Sequence, residues 1–357
     1  MEFGRKEKDP STRSPWVKTS YGSEKIRTLF FSVVELRRTF SDKRWSTGFD
    51  PTKDGFGRFE FGVPPGKQGD YAYLLHILRS LKPTGRGACI LPHGVLFRGN
   101  AEAEIRRNLV QRGYIQGIIG LPANLFYGTG IPACIVVLDK GEAGTREGIF
   151  MVDASGGFMK DGNKNRLRDR DIHRIVDVFE KGLEVPKYSR FVGLGEIEKN
   201  EFNLNIPRYI DSQQEEDIQD IEGHLRGGIP DRDLQSLGKY WQIYPGLQGA
   251  LFQPLRSGYS QLSMPSARVK EAIFSHEEFE GFTGSLFGVF ADWTGEWGDR
   301  LRGLTVGFKP KELVWALGES LLDRYKGMPL VDAYGVYQHL LDIGCRQCDR
   351  ISGGNHR

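Results

Sequence analysis

His93 is well placed for chemistry in this 357-residue chain. It follows the apolar segment Ala88-Cys89-Ile90-Leu91 in a loop, Leu-Pro-His-Gly-Val-Leu-Phe-Arg-Gly (91–99). Open α/β sheets place their sites at the carboxyl ends of strands. An imidazole there could exchange a proton with a substrate, but no carboxylate partner is evident in the sequence, so a structural role in the loop is the stronger reading. A second loop, Gly-Leu-Pro-Ala-Asn-Leu-Phe-Tyr-Gly-Thr-Gly-Ile-Pro-Ala (120–133), carries the adjacent aromatics Phe126 and Tyr127. Its Gly-Thr-Gly lacks the lysine and the following helix of a phosphate-cradling loop. Between 160 and 174, Lys160, Lys164, Arg166, Arg168, Arg170, His173 and Arg174 could meet nucleic-acid phosphates. Asp161, Asp169 and Asp171 interrupt them, which favours a solvated mixed-charge surface. Cys345 and Cys348 make a single Cys-x-x-Cys, whereas a structural zinc needs four ligands, so no metal is expected.

The elements around these residues follow from periodicity. Tyr71, Leu74, Leu75, Leu78 and Leu81 have the spacing of one helix face, and Pro83-Thr84-Gly85 stops that helix. Segment 88–91 is too continuously apolar for a strand with one face in water and reads as a buried parallel strand. Asn100 is an expected N-cap, with Glu102 and Glu104 in the first turn. Ile105 and Leu109 form the buried stripe, and Gly113 ends the helix. Strands are expected at 115–121, 131–138 and 149–152. Strands alternating with helices imply βαβ units and an open, doubly wound α/β sheet covered on both faces.

Past residue 211 the pattern changes. Ser212 is expected to cap an acidic first turn (213–217), with Ile218, Ile221 and Leu225 inward and Gly227 closing the helix. Longer helices are expected near 268–282, 311–325 and 331–342, with Pro310 in a first turn and Gly327 and Pro329 as terminators. Trp241, Phe252, Phe274, Phe290, Trp293, Trp297 and Trp315 read mainly as helical core, given the area each buries. Hydrophobic content of 39% and 27% charged residues suit a globular chain, and a formal charge of +3 is too small to argue for nucleic acid by itself. No apolar run reaches bilayer length and the N-terminus has no apolar signal core, so a cytoplasmic protein with no membrane association is expected. Cys89 and Cys134 sit in apolar strands and are expected to be reduced core residues.

Several runs together resemble one family. They are Ser-Asp-Lys-Arg-Trp (41–45), Gln-Gly-Asp-Tyr-Ala-Tyr (68–73), the 91–99 loop, Asn-Ala-Glu-Ala-Glu-Ile-Arg (100–106) and Leu-Pro-Ala-Asn-Leu-Phe-Tyr-Gly-Thr-Gly-Ile-Pro (121–132). The family is the modification subunit of type I restriction–modification systems, an adenine-N6 DNA methyltransferase using S-adenosylmethionine. The resemblance runs from about 40 to 342. In that family an Asn-Pro-Pro-Phe precedes Ser-Asp-Lys-Arg-Trp. The asparagine and the first proline's carbonyl accept hydrogen bonds from the target amine, and the aromatic stacks on an adenine flipped out of the duplex. Here Arg37-Arg38-Thr39-Phe40 stands in that place. Phe40 alone survives, and Arg37 offers donors but no side-chain acceptor.

The resemblance also implies that Phe126 and Tyr127 help enclose the flipped adenine and that Tyr73 packs against the cofactor adenine. Its partners would be DNA, a specificity subunit docked on the C-terminal helices, and a restriction subunit. Residues 1–39 contain no glycine-rich cofactor turn and read as a non-family, disordered segment. The expected organisation is 40–211 as the C-terminal half of a Rossmann-like methyltransferase domain, 212–342 as a helical region, and 343–357 as a non-family tail. Loss of resemblance at both ends is what a reading-frame slip produces. The expectation is therefore a truncated product without methyltransferase activity of its own. A non-catalytic protein docking on the specificity subunit is the alternative. An unrelated nucleotide-binding enzyme is disfavoured by the absent glycine-rich turn.

Overall fold

The apolar strands of the first half are continuous because both of their faces are covered. The computed structural model describes residues 42–212, 219–305 and 309–352. The chain divides into two compact units after Gln214. In the first unit the order is α1 (Asp70–Ser80), β1 (Arg86–Pro92), α2 (Ala101–Gln111), β2 (Ile115–Gly120), β3 (Ala133–Asp139) and β4 (Gly148–Asp153). A hairpin of β5 (Met159–Asp161) and β6 (Lys164–Arg166) follows, then α3 (Asp169–Lys181), β7 (Ser189–Gly193) and α4 (Leu194–Lys199).

Five strands form one sheet in the order β1-β3-β2-β4-β7. Alternate side chains go to opposite cores, as the pleat requires. Ile118, Val136 and Met151 join Leu74, Leu75, Ile105 and Leu109 beneath α1 and α2. Their neighbours Ile119, Val137 and Val152 join Ile175 and Val178 of α3 on the other face. The approach of α3 is close: a Cβ on Gly117 would lie 2.3 Å from the Phe179 ring, so β2 needs glycine there.

The expected parallel pairing is corrected. Only β2 and β4 pair in parallel, while β1–β3, β2–β3 and β4–β7 are antiparallel. The cause is the 121–132 connection. It contains no helix, so the chain reverses into β3, which inserts between β1 and β2. The unit linking β1 to β2 through α2 survives, but its two strands are separated by β3. Asn100 is also corrected in part. It occupies the N-cap position at φ 54°, yet its side chain makes no capping hydrogen bond.

Asp42 to Trp45 of the Ser-Asp-Lys-Arg-Trp run dock onto the start of α1. Trp45 is buried, its Nε1–H donates to the Pro65 carbonyl at 2.9 Å, and the Gly69 N–H donates to the Asp42 carbonyl at 3.1 Å. A Cβ on Gly69 would stand 2.6 Å from Trp45 Cβ. Gly69→Ala is expected to cost about 1–3 kcal/mol, the usual penalty of overpacking, read as a lowered urea midpoint with an unchanged slope.

The second unit carries a small antiparallel sheet, β8 (Ile229–Pro230), β10 (Tyr259–Leu262) and β9 (Phe252–Arg256), in that spatial order. Four longer helices follow: α5 (Ser266–Phe274), α6 (Glu277–Arg302), α7 (Pro310–Tyr325) and α8 (Ala333–Ser352). The helix expected at 268–282 is thus two helices, divided at Ser275-His276, where the His276 side chain accepts from the Glu278 N–H. Trp293 and Trp297 pack with Leu321, Leu322, Tyr325 and Tyr337 as a core. Phe274, Phe290 and Trp315, in contrast, are exposed. The inward placement expected for Ile221 and Leu225 is wrong. Their helix, Ile221–Arg226, is six residues long, and both side chains lie in solvent. Residues 213–218, with the expected acidic turn and Ile218, lie outside the described residues. Among the described residues, no helix is long and apolar enough to cross a membrane, and no cluster of His, Cys, Asp and Glu could hold a metal ion.

Candidate base-binding loops and their buried support

Many of the family-like residues in 68–106 are engaged inside the fold. Asp70, Glu102 and Arg106 are buried beneath the 91–99 loop. Arg98 Nη1 donates to Asp70 Oδ2 at 2.8 Å and lies 3.3 Å from Glu102 Oε1. Arg106 donates to three carbonyls: Phe202 at 2.7 Å, Val95 at 3.1 Å and Arg98 at 3.0 Å. The Tyr71 hydroxyl also donates to the Val95 carbonyl, at 2.8 Å. Two guanidinium groups face two carboxylates, so the cluster is formally neutral. Burial pushes the Glu102 carboxyl above its ordinary range, with Arg98 pulling the other way. Burial acts against the Arg98 charge, but its bonds to Asp70 and Glu102 outweigh that and raise its pKa.

This support sets the 91–99 loop at the carboxyl end of β1, as expected. The His93 N–H donates to the Pro132 carbonyl at 3.0 Å and ties this loop to the 121–132 loop. Burial lowers the pKa of the half-buried His93 ring, and Asp153 opposes the shift. Asp153 ends β4, so a carboxylate does lie within electrostatic reach of His93, a relation that 60 residues of sequence separation concealed.

The 121–132 loop is held from the far side by the β5–β6 hairpin. Asn165 Nδ2 donates to the Ala123 carbonyl at 2.7 Å, and its backbone N–H donates to the Asn124 carbonyl at 3.0 Å. Lys164 Nζ donates to the carbonyls of Phe126 at 2.8 Å and Thr129 at 3.1 Å. Asn124 turns the chain at φ 57°. Phe126 packs half-buried against the α3-side core, whereas Tyr127 is 93% exposed. The Lys164 ammonium is thus engaged by loop carbonyls, and its neighbours in the basic run are also engaged. Arg168 makes two bonds to Asp171, Arg174 lies 4.0 Å over the Tyr188 ring, and Arg166 pairs with Asp161. The mixed-charge reading of 160–174 accounts for these contacts.

Tyr73 is 6% exposed and clusters with Trp45 and Ala72, its hydroxyl donating to Asp42 Oδ2 at 2.6 Å. It offers no open ring face to a cofactor adenine. The other expected site residue, Phe40, lies outside the described residues, as do Arg37, Arg38 and Thr39. Cys89 and Cys134 are free, buried thiols, and burial raises the pKa of both.

A family model, N-6 DNA Methylase, matches residues 17–218, more than half of the chain. The type I restriction enzyme MjaVII methylase subunit of Methanocaldococcus jannaschii is 36% identical over 169 residues, covering 46% of this chain and 29% of that protein. The MpnII methylase subunit of Mycoplasma pneumoniae is 32% identical over 160 residues, covering 45% and 29%. A solved type I restriction-modification system methyltransferase subunit from Streptococcus thermophilus is 36% identical, with 58% of this chain and 40% of that chain covered at a TM-score of 0.47. The chain thus matches less than half the length of each of these relatives.

Proposed function

The chain belongs to the N-6 DNA methylase family, and on that premise we propose that it is a modification subunit of a type I restriction–modification system whose reaction is adenine-N6 DNA methylation. Its cofactor in that role is S-adenosylmethionine, and its partners are DNA, a specificity subunit that reads the sequence, and a restriction subunit. The observation that carries the reading is the 121–132 loop, which presents Tyr127 to solvent on a braced backbone inside the family-matched region. Aromatic faces presented in this way suit a base taken out of the stack.

Two features argue that the chain does not turn over unaided. Arg37 stands where the acceptor asparagine is required, and transfer to an amine depends on orienting its lone pair. Tyr73, buried and bonded to Asp42, does not fit a ring stacked on cofactor. Calorimetry of the purified chain with S-adenosylmethionine is expected to give no binding heat, and incubation with adenine-containing duplex is expected to give no methylated base. Binding together with turnover would overturn the inactivity.

The non-catalytic reading has an observation of its own. Phe287 is 73% exposed, and Phe290 and Trp315 are exposed too, large apolar side chains on helices of the second unit of the kind a protein partner covers. Retention of the specificity subunit by the inactive chain in a pull-down supports this docking role, and no retention rules it out.

A further inference from the structure

We propose that Lys164 and Asn165 form a positioning clamp that sets the base-binding loop, so that the β5–β6 hairpin governs how well Tyr127 is presented. The inference rests on the reading of 121–132 as the base-enclosing loop.

The connections converge from one short strand. Lys164 gives its ammonium to two carbonyls of the loop, Phe126 and Thr129, and its next neighbour gives a side-chain and a backbone N–H to Ala123 and Asn124. Four bonds thus fix loop carbonyls on both sides of Tyr127, although the Tyr127 side chain itself is left open. Among the described residues, no carboxylate comes within ion-pair distance of Lys164, and the loop carbonyls of Phe126 and Thr129 accept its hydrogen bonds. An ammonium satisfied by carbonyls holds a backbone in place without competing acidic side chains.

The amide of Asn165 serves loop geometry at a cost in stability. The residue is 6% exposed, and its Oδ1 is buried with no donor among the described residues. The bond from Nδ2 to Ala123 fixes the amide in that orientation, since reversing it would set oxygen against oxygen. A buried acceptor without a partner costs stability, and an apolar residue of similar size would avoid that cost. The amide is accounted for by what its N–H group holds, which is the loop.

Two variants separate this role from simple support. Asn165→Leu removes the side-chain tie and the orphaned oxygen together. Lys164→Gln removes the charge and shortens the reach to Phe126 and Thr129. Each is compared with wild type in the full chain by hydrogen exchange of peptides covering 121–131, by thermal melting, and by binding of a single-stranded oligonucleotide containing 2-aminopurine. The expected result is exchange at least about tenfold faster in that loop and oligonucleotide binding weakened at least about fivefold, with the Asn165→Leu midpoint equal to or above wild type. Unchanged loop exchange overturns the clamp. Faster exchange with undiminished binding overturns its positioning role. If wild type binds no oligonucleotide, the base-loop reading itself fails, and exchange still reports whether the hairpin restrains the loop.

Discussion

Arg98→Met should destabilise the first unit by up to about 3–5 kcal/mol, the cost of leaving buried carboxylates unpaired, with the partial exposure of Arg98 itself drawing the loss toward the lower figure. For a unit of this size that is a fall of roughly 6–20 °C in melting midpoint. The substitution keeps much of the side-chain volume, so its effect isolates the charge. Asp70 would lose its 2.8 Å partner and Glu102 its nearest cation, and both carboxylates are buried. The loss should depend on pH. Glu102 already has a folded-state pKa above its ordinary value, so its ionisation opposes folding. Its contribution is fully present below the ordinary carboxylate pKa and is lost as pH rises through the raised folded value. Without Arg98 that opposition grows, so the gap between wild type and variant should widen from pH 4.5 to pH 7.5. Glu102→Gln should do the reverse, gaining on wild type as pH rises while Arg98 keeps Asp70. Melting curves at four pH values check both, and a gap independent of pH would show that lost packing, not charge, is what Arg98 contributes.

The same cluster shows why family-like residues were easier to recognise than to interpret. Asp70, Arg98, Glu102 and Arg106 stand out in sequence as family-like, yet they bond to each other and to backbone carbonyls beneath the loop. Glu102 illustrates the difficulty. Its place in a first helical turn is legible and favoured by the helix dipole, but nothing local shows that the fold buries it. The helices α1 and α2 were legible because their apolar stripes are set by local periodicity. The insertion of β3 between β1 and β2 was not, because strand order is decided by long-range pairing. The exposure of Ile221, Leu225 and Trp315 was hidden for a related reason, since an apolar residue in a helix shows no sign in sequence of whether a neighbour covers it.

At the candidate site the two loops were legible as motifs, but what braces them was not. Lys164 reads as one cation in a basic run, and the carbonyls it binds lie 38 and 35 residues upstream. Asp153 reads as the polar end of a strand, and only the fold brings it into the electrostatic environment of His93. The choice between Phe126 and Tyr127 depends on side-chain direction. Neighbouring residues in an irregular loop carry no period from which that could be read.

That difference gives the second large effect. Tyr127→Ala should weaken binding of a 2-aminopurine oligonucleotide by about 1–3 kcal/mol, the worth of one stacked base, or roughly 5- to 150-fold. Its melting midpoint should not move, because a side chain 93% exposed contributes little to packing. Phe126→Ala should show the opposite balance. Phe126 packs against the core formed by Ile119, Val152, Ile175 and Val178, so its removal should lower the midpoint. Any loss of binding would then follow from a loosened loop, accompanied by faster exchange at 121–131. Tyr127→Phe completes the comparison: retained binding would assign the contribution to the ring face, and its loss to the hydroxyl. Equal effects of Tyr127→Ala and Phe126→Ala on both midpoint and binding would mean that the two aromatics act together as loop structure, and the base platform would have to be sought elsewhere in the family-matched region.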